Sequence, residues 1–169
     1  MLTKIISGGQ TGADQGALHG ARLAGLETGG AAPKGYWTEN GREPTLLRGY
    51  GLIETVAMGY PPRTRINAMN SDGTLIFGDP ESRGSNLTIK YCNELKKPFR
   101  IVLWRRDKPR PAVYLSVVQW IEMNNIKILN VAGNRESKNL GIHEATSQFI
   151  VGLIEELELV EELKKDQTS

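Results

Sequence analysis

Short apolar runs recur along the chain, and each is bounded by glycine, proline or polar residues. The clearest runs cover residues 4–7, 73–77, 100–104 and 127–132. Continuous apolar runs of this length are typical of strands that a sheet buries on both faces. The sequence therefore predicts strands at these four places, and a further brief strand within residues 29–35.

Apolar and small positions between these runs repeat with helical spacing instead. Ala13, Ala17, Ala21 and Ala24 recur every three or four residues, which predicts a helix whose small-residue face packs closely on a sheet. No element is predicted over residues 46–59, where the pattern is ambiguous. The predicted helices cover roughly residues 12–24, 63–69, 86–95 and 112–123, and a last one begins near Ile142.

Strands that alternate with helices predict an α/β fold, with a mostly parallel sheet and helices on both faces. Right-handed crossovers would bring the strand-to-helix loops to one edge, where ligands bind in such sheets. The chain contains no internal repeat and no convincing boundary, so residues 1–169 are expected to form one domain. Residues from about 155 to 169 are rich in glutamate and are expected to extend the last helix as an acidic tail.

Composition narrows the class of protein. The chain has 169 residues, of which 39% are apolar and 24% charged, which excludes a disordered chain or a membrane protein. No apolar run approaches the ~20 residues that span a bilayer, and the first run is too short for a signal peptide. A cytoplasmic location is therefore expected.

Cysteine and histidine are scarce. Cys92 is the single cysteine, so an intrachain disulfide is impossible, and it is expected to serve in packing. His19 and His143 are the only histidines, and a zinc site would need carboxylates in their place. No metal bound by side chains is expected.

The net charge of +2 hides an uneven distribution. Residues 61–110 hold 11 Lys or Arg against 5 Asp or Glu, whereas residues 111–169 are acidic. A basic stretch can indicate nucleic-acid binding. Here a predicted strand separates the charges, and Pro109 and Pro111 interrupt the remainder. Nucleic-acid binding is therefore the less favoured interpretation, and a solvated basic loop is preferred.

Glycine is enriched, with 19 residues that cluster in loops. The first such loop, residues 8–14, joins a predicted strand to a predicted helix. Glycines allow the backbone to approach a ligand, and the N–H groups that begin a helix bind phosphate. The loop matches neither the P-loop nor the full dinucleotide-binding pattern. A tight turn with a capped helix is the structural alternative.

Two further loops follow strands and open helices. In residues 78–88, Gly84 and Ser85 offer N–H groups beside Arg83, although simple helix capping would explain them as well. In residues 130–137, Arg135 and Ser137 could hold a phosphate, and the alternative is a charge network between Arg135 and Glu136. Three such loops at one edge would define a single crevice for an anion.

The residues of these loops, together with three other segments, resemble a family assigned as carriers of molybdenum cofactor. The resemblance rests on residues 7–14 (SGGQTGAD), 33–35 (PKG), 71–77 (SDGTLIF), 87–88 (LT) and 130–137, and on Arg63, Thr64 and Asn67. It implies a Rossmann-like fold related to the lysine-decarboxylase-like nucleotide-binding superfamily. It also implies a homo-oligomer and, as ligand, a pterin dithiolene that ends in a phosphate.

The ligand that the resemblance implies is a phosphorylated small molecule, namely molybdenum cofactor (molybdopterin), and a nucleotide is the alternative. The phosphate would lie against the glycine-rich loops. The candidate binding residues are Gly8, Gly9, Gln10, Thr11, Gly12, Lys34, Gly84, Ser85, Thr88, Gly133, Asn134, Arg135 and Ser137.

The chain departs from the resemblance in ways that bear on catalysis. Gln15 and Asn134 stand where a basic residue and a proline are expected. The related phosphoribohydrolases carry a glutamate soon after a Gly-Thr pair, whereas Thr88 is followed by Ile-Lys-Tyr and the nearest acid is Glu94. Binding is therefore favoured over cleavage. The alternative is a hydrolase of N-glycosidic or phosphoester bonds, which would need a carboxylate in the crevice; the acids beside the loops are Asp14, Asp72 and Glu136.

Overall fold

A computed structural model describes residues 1–104 and 111–166 of the chain. Arg105, Arg106, Lys108 and Arg110 of the basic stretch, and the last three residues of the expected tail, lie outside this part. Six strands form one parallel sheet in the order β5-β2-β1-β8-β6-β7, and β3 and β4 pair as a separate antiparallel hairpin. The strands are β1 (Lys4–Ile6), β2 (Glu27–Ala32), β3 (Trp37–Thr38), β4 (Gly41–Arg42), β5 (Leu52–Glu54), β6 (Gly73–Phe77), β7 (Phe99–Val102) and β8 (Ile128–Gly133).

Helices connect the strands and cover both faces of the sheet. Helices α1, α5 and α6 pack together on one face, and α3 and α4 pack together on the other, as right-handed crossovers require. The expected Rossmann-like α/β fold is confirmed. The helices are α1 (Ala13–Leu23), α2 (Pro44–Gly49), α3 (Tyr60–Met69), α4 (Arg83–Glu94), α5 (Pro111–Met123) and α6 (Ile142–Asp166).

The sheet core explains why the apolar runs were recognisable. All five residues of β6 are buried, and Leu75, Val131 and Leu129 join the main apolar cluster between the sheet and helices α1, α5 and α6. Cys92 is fully buried in α4. A smaller cluster of Leu18, Ala32, Tyr36, Leu47 and Leu52 lies near the β5 edge.

The segment between β2 and α3 differs most from the sequence-based expectation. It contains the β3–β4 hairpin, α2 and β5, none of which the pattern revealed. Each is short, and β5 buries one residue, Leu52, while Ile53 is 75% exposed. The elements are therefore stabilised by tertiary contacts, such as those of Leu47 and Leu52, rather than by a periodic pattern of their own.

Strand order decides where the loops lie. Strands β1, β8 and β6 are neighbours in the sheet, and each is followed by one of the three glycine-rich loops. Because the strands are parallel, all three loops emerge at the same carboxyl edge.

Candidate functional site

The loops after β1 and β8 touch through their backbones. Ala13 N donates to Asn134 O at 3.0 Å. Gly12 has φ +78°, and a Cβ at this position would lie 2.4 Å from Asn134 O. Glycine is therefore required at position 12 for close packing and for its left-handed backbone. The conformation of Gly12 holds the two loops together, so the backbone at this position cannot rearrange to wrap around a ligand.

Asn134 fixes the loop after β8 to the loop after β6. Its Oδ1 accepts from Asp79 N at 2.6 Å and from Asn139 Nδ2 at 2.7 Å, while its Nδ2 donates to Ser82 Oγ at 2.9 Å. The side chain is buried and uses both polar atoms within the protein. An asparagine here thus supplies donors and acceptors that proline would lack.

A cleft of about 990 Å³ opens beside these loops. It is bounded by the loop after β8, the start of α3 and the first half of α4. Its volume lies at the upper end of the range typical of small-molecule sites. The lining residues are Gln10, Tyr60, Pro61, Arg63, Thr64, Asp79, Ser82, Arg83, Gly84, Asn86, Leu87, Thr88, Lys90, Ala132, Gly133, Asn134, Arg135, Lys138 and Asn139.

Positive charge dominates the lining. Among these residues Asp79 is the one acid. Five carry cations, namely Arg63, Arg83, Lys90, Arg135 and Lys138. Cations gathered in a concave site raise the local concentration of anions. The cleft is thus suited to a negatively charged small molecule.

The floor of the cleft contains a buried ion pair. Arg63 Nη1 lies 3.1 Å from Asp14 Oδ2, and the two side chains are 11% and 3% exposed. Arg63 reaches this position over Gly8, where a Cβ would lie 1.5 Å from Nη1. Burial raises the pKa of the Asp14 carboxyl, while the charge of Arg63 and the N–H of Gln10 oppose that rise.

Two donors at the cleft have no partner within the described part of the chain, Gln10 Nε2 and Arg63 Nε. The Gln10 amide is oriented by its oxygen, which accepts from Thr11 N at 3.0 Å and from Glu39 N at 2.8 Å. Its Nε2 is therefore left as a donor. Buried polar groups normally have partners, so an acceptor on a ligand would complete both.

A single serine caps the start of α4, and the other polar side chains there bond to nearby backbone. Ser82 is the N-cap and accepts from Ser85 N at 3.2 Å. Ser85 Oγ donates to Asp79 O at 2.8 Å, and Thr88 Oγ1 donates to Gly84 O at 3.1 Å. The helix is thus capped, but by Ser82 and not by Ser85, whose buried side chain bonds to the loop before the helix. Gly84 and Thr88 still line the cleft.

Arg135 stacks on an aromatic ring instead of pairing with Glu136. Its guanidinium carbon lies 5.1 Å from the centre of the Tyr60 ring. Glu136 accepts from Gly141 N and, at 2.9 Å, from His143 N, so its carboxylate caps the start of α6. Within the described residues no carboxylate lies within 4 Å of Arg135. The suggested Arg135–Glu136 network is therefore wrong.

The other candidates lie outside the cleft lining. Gly9 is packed against Leu47 and Leu52, and Lys34 is exposed after the end of β2. Thr11 Oγ1 and Ser137 Oγ both donate to the carboxylate of Glu39. The structure thus brings six of the thirteen candidates to the cleft: Gln10, Gly84, Thr88, Gly133, Asn134 and Arg135.

Sequence reasoning missed part of the site. The sequence analysis used Arg63 only as part of the family resemblance and gave it no role in the site. The one indication was its place after Pro62, at the start of a predicted helix. Tyr60, Lys90 and Lys138 gave no separate signal, because single tyrosines and lysines are common throughout the sequence. Glu39 stood in a segment for which no element was predicted.

The acids and metal-ligating groups near the site are few. Glu94, the nearest acid after Thr88, pairs with Lys90 at 3.8 Å near the end of α4, and it does not line the cleft. Asn130 Nδ2 donates to Thr74 Oγ1 at 3.2 Å, so a neighbouring strand satisfies this buried amide. The described residues contain no group of three or more His, Cys, Asp or Glu that could hold a metal ion. Nor does any described helix have the length and apolarity to cross a membrane.

Comparison with known proteins agrees with this architecture. The family model of the circularly permutated YpsA SLOG family (cpYpsA) matches residues 5–154. A crystal structure from Syntrophus aciditrophicus SB, named "Putative molybdenum carrier protein", is 36% identical. It aligns with a TM-score of 0.81, over 90% of this chain and 94% of its own. Among curated proteins none shows significant similarity. The chain belongs to the circularly permutated YpsA SLOG family.

Proposed function

We propose that this protein is a molybdenum-cofactor carrier, which binds a phosphorylated pterin or a nucleotide-like ligand in the cation-lined cleft. The observation that carries the proposal is the charge of that cleft: its lining holds five cations and one acid, and three of the cations, Arg83, Arg135 and Lys138, have no carboxylate within 4 Å among the described residues. The name of the solved relative supports molybdenum as the cargo. The N–H groups at the start of α4 and the guanidinium of Arg135 would hold the phosphate.

The unpartnered donors of the cleft fit such a ligand. Gln10 Nε2 and Arg63 Nε would donate to acceptors on its ring or phosphate. A pterin and a purine both carry keto oxygens and ring nitrogens that accept such bonds. We propose that Gln10, Arg63, Gly84, Thr88, Gly133, Asn134 and Arg135 contact the ligand, while Gly8, Gly9, Gly12, Lys34 and Ser85 support or flank the site.

Binding is favoured over cleavage because the carboxylates are engaged elsewhere. Asp14 is committed to Arg63, and Glu94 lies outside the cleft. Asp79 lines the cleft, but its backbone and side chain shape the loop: its Oδ1 accepts from Glu81 N at 2.9 Å. A general acid or base for hydrolysis would have to be freed from these contacts first.

Arg135 provides the test of this function. Replacing Arg135 with Ala removes a charge-assisted contact worth roughly 1.5–3 kcal/mol. Affinity for molybdopterin or for a nucleoside monophosphate, measured by calorimetric titration, should fall about tenfold to 150-fold. Lys at this position should restore affinity only partly, since it lacks the planar fork.

Arg65 offers a matched control, because it is exposed on the same helix as Arg63 and does not line the cleft. Arg65→Ala should leave affinity unchanged. The melting temperature of the ligand-free Arg135→Ala variant should equal that of the wild type. A sharp fall in melting temperature with unchanged affinity of the folded fraction would make Arg135 structural.

We also propose that the protein forms homo-oligomers. Leu23, Leu103 and Leu140 are 66%, 56% and 75% exposed and line a second groove of about 1210 Å³ beside α5 and α6. Clustered exposed leucines mark association surfaces in many proteins. Light scattering at several concentrations would measure the assembly. The cytoplasmic location stays a prediction.

A further inference from the structure

Glu39 crosses from the β3–β4 hairpin to the loops of the site. It lies in the turn between the two strands, and its carboxylate accepts from the hydroxyls of Thr11 and Ser137. Ser137 N also donates to Glu39 Oε1 at 3.2 Å. One carboxylate thus collects donors from the loop after β1 and the loop after β8.

These donors are the kind that bind phosphate oxygens. Hydroxyls and a backbone N–H converge on the Glu39 carboxylate, and the charge of Arg135 acts on it too. Burial raises the pKa of Glu39, but the bonds from Ser137 and Thr11 together with Arg135 outweigh it and lower the pKa overall. The loops therefore favour a negative group at this point, whichever molecule supplies it.

The hairpin that carries Glu39 is small. Its strands, Trp37–Thr38 and Gly41–Arg42, have two residues each. An isolated hairpin of this length is marginal in water. Besides the carboxylate, Glu39 N is bound to Gln10 Oε1 at 2.8 Å. Moving the turn away would therefore break few bonds.

Arg135 links this point to the cleft. It lines the cleft, and its charge reaches the Glu39 carboxylate. We propose that Thr11, Ser137 and Arg135 form an anion subsite beside the cleft, which Glu39 fills until a phosphate or diphosphate group displaces it. The proposal deepens the proposed function and rests on the ligand being phosphorylated.

If a phosphate group displaces the Glu39 carboxylate, then Glu39 and added anions must compete for the same subsite. Inorganic pyrophosphate is the probe, so the outcome does not depend on which organic ligand the protein carries. In calorimetric titrations of the full chain, Glu39→Gln should bind pyrophosphate at least tenfold more tightly than wild type. Adding Thr11→Val to Glu39→Gln should remove most of that gain, because it deletes a donor of the subsite.

Glu43→Gln is the matched control for a general change of charge. Glu43 follows the same hairpin and accepts from Gln15 Nε2 at 3.0 Å, away from Thr11 and Ser137. The Glu43→Gln substitution should change the affinity for pyrophosphate less than twofold. Glu39→Asp withdraws the carboxylate by one methylene and keeps the charge, and it should also bind pyrophosphate more tightly.

The contrary account makes Glu39 a brace between two loops. It predicts that folded Glu39→Gln and Glu39→Asp bind pyrophosphate no better than wild type, or less well. Either result in a variant with native circular dichroism overturns the subsite. If Glu39→Gln does not fold, Glu39→Asp alone decides. Loss of organic-ligand binding in Arg135→Ala is a separate measurement, so failure of the carrier function would be distinguishable.

Discussion

Arg63 shows how a single residue position depends on another that is distant in sequence. Its guanidinium lies over Gly8 and pairs with Asp14, 49 residues away, in the floor of the cleft. The pairing is buried, so removing one partner leaves the other charge uncompensated. Breaking a buried pair in this way lowers the free energy of unfolding several times more than breaking an exposed pair does.

Replacing Arg63 with Met should therefore destabilise the protein by about 3–5 kcal/mol. Urea denaturation followed by circular dichroism measures the difference. Arg65→Met is the control and should cost within about 0.5 kcal/mol, because Arg65 is exposed. A loss below about 1 kcal/mol for Arg63→Met would show that the buried pair does not hold the floor together.

The residue scale also marks how far sequence reasoning reached into the site. Glycines before helices pointed to three loops that the structure brings to one edge of the sheet, because such glycines are a local feature of the sequence. Whether Thr11 and Ser137 faced a ligand or Glu39 could not be predicted, since their partner comes from a hairpin with no periodic signal. Arg63 needed the same kind of long-range information.

At the scale of elements, α1 packs more closely than its alanines suggested. Ala13, Ala17 and Ala21 join the main core, as the spacing predicted. The closest approach, however, is made by glycine against α6. A Cβ at Gly16 would lie 2.3 Å from His143 O, and one at Gly20 would lie 2.4 Å from Ser147 O. These two helices meet backbone to backbone.

Replacing Gly20 with Ala should destabilise the protein, because the added methyl group meets backbone that cannot rotate away. We expect a net loss of about 1–3 kcal/mol, the usual cost of overpacking. Thermal unfolding measures it as a lower melting temperature. Gly49→Ala in α2 is the control, since no atom lies within 4 Å of the added carbon. An unchanged melting temperature for Gly20→Ala would mean that α6 can shift.

The elements that the sequence predicted are those with a continuous or periodic pattern. Most residues of β1, β6 and β8 are buried, so their apolar runs were clear in the sequence, whereas β7 at the sheet edge buries only Val102 and was marked by the apolar run that follows Arg100. The elements from β3 to β5 did not appear in the sequence, because each of them is short and buries at most one residue. Strand order was also beyond the sequence, since pairing between parallel strands leaves no local trace.

For the whole molecule, topology produces the site. The order β1-β8-β6 places three loops at one edge. Helix α3, which packs beside α4, supplies Tyr60 and Arg63 to the same cleft. The resulting cleft is lined mainly by positive side chains, although the net charge of the whole chain is only +2. Net charge is thus a poor guide to the ligand, whereas the placement of five cations around one cavity is informative.

The most direct test of the account is mass spectrometry of small molecules released from the natively purified protein. A phosphorylated pterin or nucleotide should be recovered in an amount approaching one per chain. Arg135→Ala, purified identically, should release much less of the same compound, because the proposed phosphate contact is gone. If no phosphorylated compound is enriched over an unrelated protein purified in parallel, or if the variant releases as much as wild type, the proposed carrier site is contradicted.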